Sequence, residues 1–357
     1  MTAGSIDISV EGLQSLIASE GFELFGVLPI GKSETYPALQ KWIDAGMHAD
    51  MDWMSREDAM EKREDPRNIL STAKYVITLA FNYAPYEISQ ELLDDPSRGI
   101  IARYALYDDY HKVIKKRLVR LGKALSVKVG GCDWKAYVDT GPFLEREWAE
   151  RAGLGFTGRN SLLINNKLGS YLFLSEILVS AELPVIQYEK KGSCARCTNC
   201  MDKCPTGAIV ADRTVDARKC ISYLTIEHKG SIPEQFRPLM RNRIYGCDIC
   251  QEVCPWNQNR GEQEKSDFKI REQLVAPKLE QLLIFDEDEF RERFAGSPIR
   301  RAKREGFMRN VSIALGNFGA SAHADSADAK QLLHIIQKHD DSAVVQEHVD
   351  WALKRCA

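Results

Sequence analysis

The sequence predicts an α/β domain, a compact cysteine-rich module and a helical domain, in that order, on three observations. Apolar β-rich runs and helical patterns alternate from the N-terminus to about residue 185, eight cysteines fall between Cys194 and Cys254, and beyond residue 286 only helical periodicity is found. The domain limits that follow are 1–185, 186–257 and 258–357. With 357 residues, 44% hydrophobic and 28% charged, a soluble globular chain of two or three domains is expected. A net charge of -3 speaks against a generally basic nucleic-acid binder, although a local basic face fits within that total. No apolar run approaches the roughly 20 residues of a membrane span. The first residues lack a basic n-region, an apolar h-region and a twin arginine, so a cytoplasmic location with reduced thiols is expected.

In chain order, Leu13, Leu16 and Ile17 stand at helical spacing within 10–20, and Gly21 ends that helix. Residues 23–28 read as a short buried strand, 36–45 as a helix, and the uncharged run 75–81 as a central strand. Residues 109–127 form a long helix whose Lys112, Lys115, Lys116, Arg117 and Arg120 make a basic face, most simply a solvated one. A strand ends at 136–139, and Pro142 suits the first position of a helix over 143–151. Asp139 is thereby placed at a strand end, where open sheets often bind ligands; the bland alternative is a cap on the turn. The glycines of 153–161 let backbone amides approach a ligand, but without the spacing of a nucleotide fingerprint.

The cysteines carry the sharpest signal. Cys194-Ala-Arg-Cys197-Thr-Asn-Cys200-Met-Asp-Lys-Cys204-Pro205 has the spacing of a bacterial ferredoxin run, and Cys247-Asp-Ile-Cys250-Gln-Glu-Val-Cys254-Pro255 is a partial second copy. In such runs three thiolates wrap one cluster and the cysteine before proline reaches the other. The crossover assigns Cys194, Cys197, Cys200 and Cys254 to one [4Fe-4S] cluster, and Cys204, Cys220, Cys247 and Cys250 to the second. Zinc also uses paired cysteines, but it does not require two Cys-Pro endings. Cys132 and Cys356 are left over and read as ordinary small side chains.

After a polar connector over 257–274, helices are expected over 286–294, 307–315, 327–338 and 342–354, with 316–319 as a connecting turn. Paired short helices look like HEAT-type repeats. Ahead of them, 297–310 concentrates Arg300, Arg301, Lys303, Arg304 and Arg309 in an acidic protein, which raises phosphate contact as an alternative to a solvated face.

Together, Ala102-Arg-Tyr-Ala105, Asp109-Tyr110-His111, 137–146, 153–160, 220–227 and the basic 300–310 segment resemble the epoxyqueuosine reductase family, in order and over nearly the whole chain. Tyr107 departs from it, standing where glycine is expected. The resemblance implies a nitroreductase-like cobalamin-binding domain, a ferredoxin-like two-cluster domain and a HEAT-like tRNA-binding domain. It implies reduction of epoxyqueuosine to queuosine at the tRNA wobble position, the last step of queuosine biosynthesis. Asp139 would be the general acid, its pKa raised by burial. Arg63, Asp139, Gly158, Asn160, Ser161 and Ser175 would hold cobalamin without a lower histidine ligand. Arg146, Arg300, Arg301, Lys303, Arg304 and Asn310 would meet the tRNA. A low-potential external electron donor, no membrane and a monomer are expected. A reductive dehalogenase-like reductase of a small molecule is the alternative, disfavoured by the missing twin-arginine signal; a non-catalytic electron carrier would leave the N-terminal domain idle.

Overall fold

The computed structural model describes residues 8–83, 86–258, 268–321 and 326–356. Its centre is a four-stranded sheet of β1 (Leu24–Pro29), β2 (Tyr75–Asn82), β3 (Trp134–Tyr137) and β4 (Leu172–Val179), ordered β1-β2-β4-β3. All three pairings are antiparallel. Alternation of helix and strand in the sequence locates these elements but carries no information on strand direction.

Both sheet faces are covered, which is why β2 is an unbroken apolar run rather than an alternating one. Ile77, Leu79 and Phe81 pack with Leu13, Ile17, Ile114, Leu118 and Leu121 of the helices Val10–Ala18 and Tyr110–Lys128. Val76 and Ala80 pack with Trp148, Ala149 and Ala152 around the helix Glu145–Arg151. The basic face of the long helix is partly structural: the Arg117 guanidinium lies 5.0 Å from the Phe81 ring centre, and Arg120 pairs with Glu20 at 2.6 Å.

Several local expectations are corrected. The helix near residue 143 starts only at Glu145, because 138–143 is spent on a turn whose Asp139 amide donates to Glu145 Oε1 at 2.6 Å; Pro142 lies in that turn. Tyr107 has φ -113°, ordinary extended backbone, so no glycine is required; its ring packs edge-on against Tyr83 and Phe268. The expected connector is not simply polar either. Residues 259–267 lie outside the described residues, but Phe268, Leu274, Leu279 and Leu282 are buried in the core that runs from the first domain into the helical one.

The cysteine module is built from short helices, among them Asn199–Asp202, Ile221–Ile226 and Ile249–Glu252, and a small hairpin. Its strand Arg243–Tyr245 pairs in parallel with Ile100–Ile101, fastening it to the first domain. In the C-terminal part, Lys303–Gly319 packs on both Ser326–His339 and Ala343–Arg355. Residues 316–319, expected as a turn, are helical. A Cβ on Gly316 would stand 2.7 Å from the Ala352 Cβ, so the glycine permits close helix crossing rather than a break.

Candidate functional site

Two residues beyond β3 the chain turns so that Asp139 adopts φ +57°, a left-handed conformation that costs energy for a non-glycine residue and is held by its surroundings. The Tyr110 hydroxyl donates to Asp139 Oδ2 at 2.7 Å, and His111 Nε2 reaches the same oxygen at 3.0 Å. His111 Nδ1 meets Asp109 Oδ1 at 2.8 Å, while the Asp109 carboxylate also caps the helix through the His111 amide. The Tyr110 ring is fixed by stacking on Phe173, 4.2 Å between centres and 5° from parallel. Asp139 is no simple turn cap. Its side chain is 58% accessible, which leaves it open to a ligand.

Proton affinity here departs from the expectation of a raised Asp139. Although its side chain has an open flank, the protein packed around Asp139 displaces enough water to push it up, but hydrogen bonds from His111 and Tyr110 outweigh this and hold the carboxyl below its ordinary value. Burial disfavours a charged His111, yet its bonds to Asp109 and Asp139 carry it up to about 9. At neutral pH the proton therefore resides on the imidazole, and Asp139 is its carboxylate partner. Burial and then the Asp139 charge push Glu145 up to about 8, and burial with Glu145 raises Glu176 well above the carboxylate range.

Of the other residues expected at a cofactor, the 158–161 loop lies between this acid cluster and the cysteines. Arg146, next to Glu145, donates to the Ser161 carbonyl, and Asn160 Nδ2 donates to the Cys250 carbonyl at 3.4 Å. Ser161 itself takes φ +64°. The Arg63 guanidinium is buried on the Met54 carbonyl at 2.9 Å. Ser175 lies within the sheet at 0% exposure, and its buried hydroxyl meets no hydrogen-bond partner among the described residues.

The cysteines of the module influence one another's proton affinity, mostly but not wholly within the two expected sets. Burial and then the sulfurs of Cys194 and Cys254 push Cys200 up to about 11; Cys254 feels Cys194 and Cys197. Burial raises Cys250, followed by Cys247 and Cys220 and, more weakly, Cys200 of the other set; Cys220 feels Cys204. Burial and crowding of sulfur favour the protonated thiols in the absence of a metal, and a cationic cluster reverses that balance by binding thiolates. Backbone amides already point at sulfur: Arg159 N–H to Cys194 Sγ at 3.4 Å and Ala208 N–H to Cys204 Sγ at 3.3 Å. Cys132 and Cys356 stand apart from both sets as free thiols.

The basic segment divides by exposure. Arg300 and Lys303 are exposed, and Arg301 is exposed while paired with Glu227 at 2.8 Å and lying 4.9 Å from the Trp53 ring centre. The positive charge of Arg301 also favours ionised Asp139, so this side chain stands near the acid cluster. Arg304 is tied to buried Asp340 at 2.6 Å. Asn310 is corrected: it is fully buried, and its amide donates to the Thr225 and Ile244 carbonyls at 2.9 Å each, so it fastens the helix to the cysteine module instead of meeting RNA. Beside it Arg309 is buried on the carbonyls of Leu224, His228 and Gly230.

Asp109, Tyr110, His111, Glu145 and Glu176 were not singled out as site residues from local pattern. Two local signals were available: Asp109 at a helix N-cap followed by two proton-bearing rings, and Glu176 as the one charge within an apolar strand.

Residues 63–140 match the family model described as "Epoxyqueuosine reductase QueG, DUF1730", and 193–257 match the 4Fe-4S double cluster binding domain. The chain is 43% identical over 336 residues to the epoxyqueuosine reductase of Vibrio cholerae, covering 94% of this chain and 88% of that one. Against that of Escherichia coli it is 42% identical over 93% of this chain and 86% of the relative. Among solved structures, an epoxyqueuosine reductase with an epoxyqueuosine-modified tRNA-Tyr stem loop superposes with a TM-score of 0.85 at 30% identity, over 97% of this chain and 89% of that one. The enzyme of Bacillus subtilis, described with an aspartate catalytic loop swung out of the active site, gives 0.84 at 29% identity over 97% and 90%.

Proposed function

The chain belongs to the epoxyqueuosine reductase family, and on that premise we propose that it reduces epoxyqueuosine to queuosine at the wobble position of tRNA, with cobalamin as cofactor and the Asp139 cluster as proton donor. It is an oxidoreductase with a 4Fe-4S double cluster domain. The observation that carries the proton-donor role is the convergence of Tyr110 and His111 on one oxygen of Asp139.

In this reading the two cysteine sets hold the two clusters, which supply electrons one at a time. Cobalamin, when bound, supplies the reduced centre that delivers those electrons to the epoxide. Gly158, Asn160 and Ser161 would hold it, with Arg63 and Asp139; support comes from the loop's ties to Arg146 on one side and the Cys250 carbonyl on the other. The protein's own part is proton delivery. His111, charged at neutral pH, passes its proton through the shared Asp139 oxygen to the departing epoxide oxygen, and Asp109 stabilises the charge until then.

For the RNA, Arg300, Arg301 and Lys303 would meet backbone phosphates, with Arg146 nearer the inserted nucleotide; Arg304 acts by bracing the helix. The tRNA stem loop held by the related structure supports this partner. The nitroreductase-like and HEAT-like descriptions, the domain limits, an external low-potential donor, a monomeric state and a cytoplasmic location belong to the same proposal. Among the described residues no helix is long and apolar enough to cross a membrane.

The deciding experiment is anaerobic incubation of the cluster-loaded protein with cobalamin, a low-potential reductant and epoxyqueuosine-containing tRNA, followed by nucleoside mass spectrometry. Cobalamin-dependent loss of one oxygen from the modified base is expected. Intact clusters and bound cobalamin without conversion would overturn the reading.

A further inference from the structure

Two acids behind Asp139 are left unused by that chemistry. Glu176 sits within β4, directly opposite Thr78 of β2 and Tyr137 of β3. It is fully buried, and among the described residues the Glu145 carboxyl is the one group close enough to share a proton with it; neither its oxygens nor the buried Thr78 hydroxyl has another hydrogen-bond partner. A buried polar group left so is uncommon and asks for a reason. Packing alone does not give one, since leucine would fill the same space without the desolvation cost.

Glu145 begins the helix that covers this sheet face, and it accepts the Asp139 amide proton at 2.6 Å. The groups facing the pair are Asp139 from the turn after β3, Arg146 on the helix of Glu145, Tyr137 on β3 and Thr78 on β2. Only Arg146 is cationic, and it favours the charged form of Glu145; it does not outweigh burial and the Asp139 charge. Burial and the Glu145 charge favour the uncharged form of Glu176, and Glu145 is pushed up to about 8.

The reaction needs such a store. Converting an epoxide to an alkene breaks two carbon–oxygen bonds, forms the carbon–carbon double bond and releases the oxygen as water. That takes two electrons, supplied through the clusters from the external donor, and two protons. The His111–Asp139 unit holds one proton. We propose that Glu145 and Glu176 form the store of the second proton, which recharges the Asp139 unit after its first transfer so that the oxygen leaves as water. The inference rests on the reduction proposed above.

Infrared spectroscopy of the cluster-loaded protein without RNA tests the pair directly. A protonated carboxyl stretch that shifts in D2O is expected at pH 7, with one component titrating at about 8, and with loss of the persistent component in Glu176→Gln. Single-turnover conversion in Glu176→Gln and Glu145→Gln should slow at least about tenfold and lose the ionisation near pH 8, with clusters and cobalamin retained. Absence of a protonated carboxyl at pH 7 in the wild-type, or wild-type pH–rate profiles in both variants, overturns the proposal. If Glu176→Gln fails to load clusters, Glu145→Gln, which is only partly buried, decides it. A wild-type protein that converts no RNA sinks the functional reading instead, and the infrared band still reports on the pair.

Discussion

The Tyr110 hydroxyl and the His111 imidazole meet on a single oxygen of Asp139, at 2.7 and 3.0 Å, so that consecutive residues at one helix start control the protonation of a residue on a distant turn. Asp139→Asn keeps the volume but cannot accept a proton from His111. Single-turnover conversion at saturating cobalamin should fall by about 10²–10⁴-fold with cluster absorbance unchanged. A variant with wild-type turnover would remove Asp139 from the mechanism.

The raised His111 affinity has a stability consequence of fixed sign. Its folded pKa of about 9 lies above the unfolded value near 6.5, so its contribution is complete below about 6.5 and disappears as pH rises through 9. Asp139, lowered by the same contact, contributes above about 4 and loses its contribution in acid. The thermal stability advantage of wild-type over His111→Gln should thus be flat between about pH 4.5 and 6 and shrink towards 9. A difference independent of pH up to 10 would show that the Asp109–His111–Asp139 bonds do not hold charge.

The crossed cluster assignment is tested by pairing lesions. Cys204→Ser with Cys220→Ser should remove one cluster, whereas Cys200→Ser with Cys220→Ser should remove both, as read by iron and sulfide content and by electron paramagnetic resonance. If the first pair loses both clusters while each single variant loses one, Cys204 and Cys220 belong to different sets.

Within the basic segment, exposure separates RNA contact from bracing. Neutralising Arg300 and Lys303 to Gln should weaken tRNA binding and reduce the salt-dependence slope by about 1.5, at little cost in stability. Asn310→Ala leaves the Thr225 and Ile244 carbonyls buried and unsatisfied, which costs about 2–4 kcal/mol in denaturant unfolding without changing that slope. An unchanged slope in the first variant would make the exposed cations mere surface.

What the sequence determined by itself was whatever depends on neighbours along the chain. Cysteine spacing, with proline after Cys204 and Cys254, is a pattern along the chain, so the 4Fe-4S double cluster domain was legible before any fold. The long helix after Asp109 and the uncharged β2 were legible for the same reason, since period and capping are local. Tertiary structure alone decided the rest. Asp139 proved to be the low-affinity partner because His111, 28 positions earlier, shares its proton, and no local pattern encodes that pairing. Asn310 and Arg309 looked like members of a phosphate patch until helix packing turned them inward, since charge density along a segment does not say which face meets solvent. The antiparallel order of the sheet, and the burial of Glu176 opposite Thr78, likewise arise from contacts between segments far apart in the chain, whose relative placement is fixed only when the core closes.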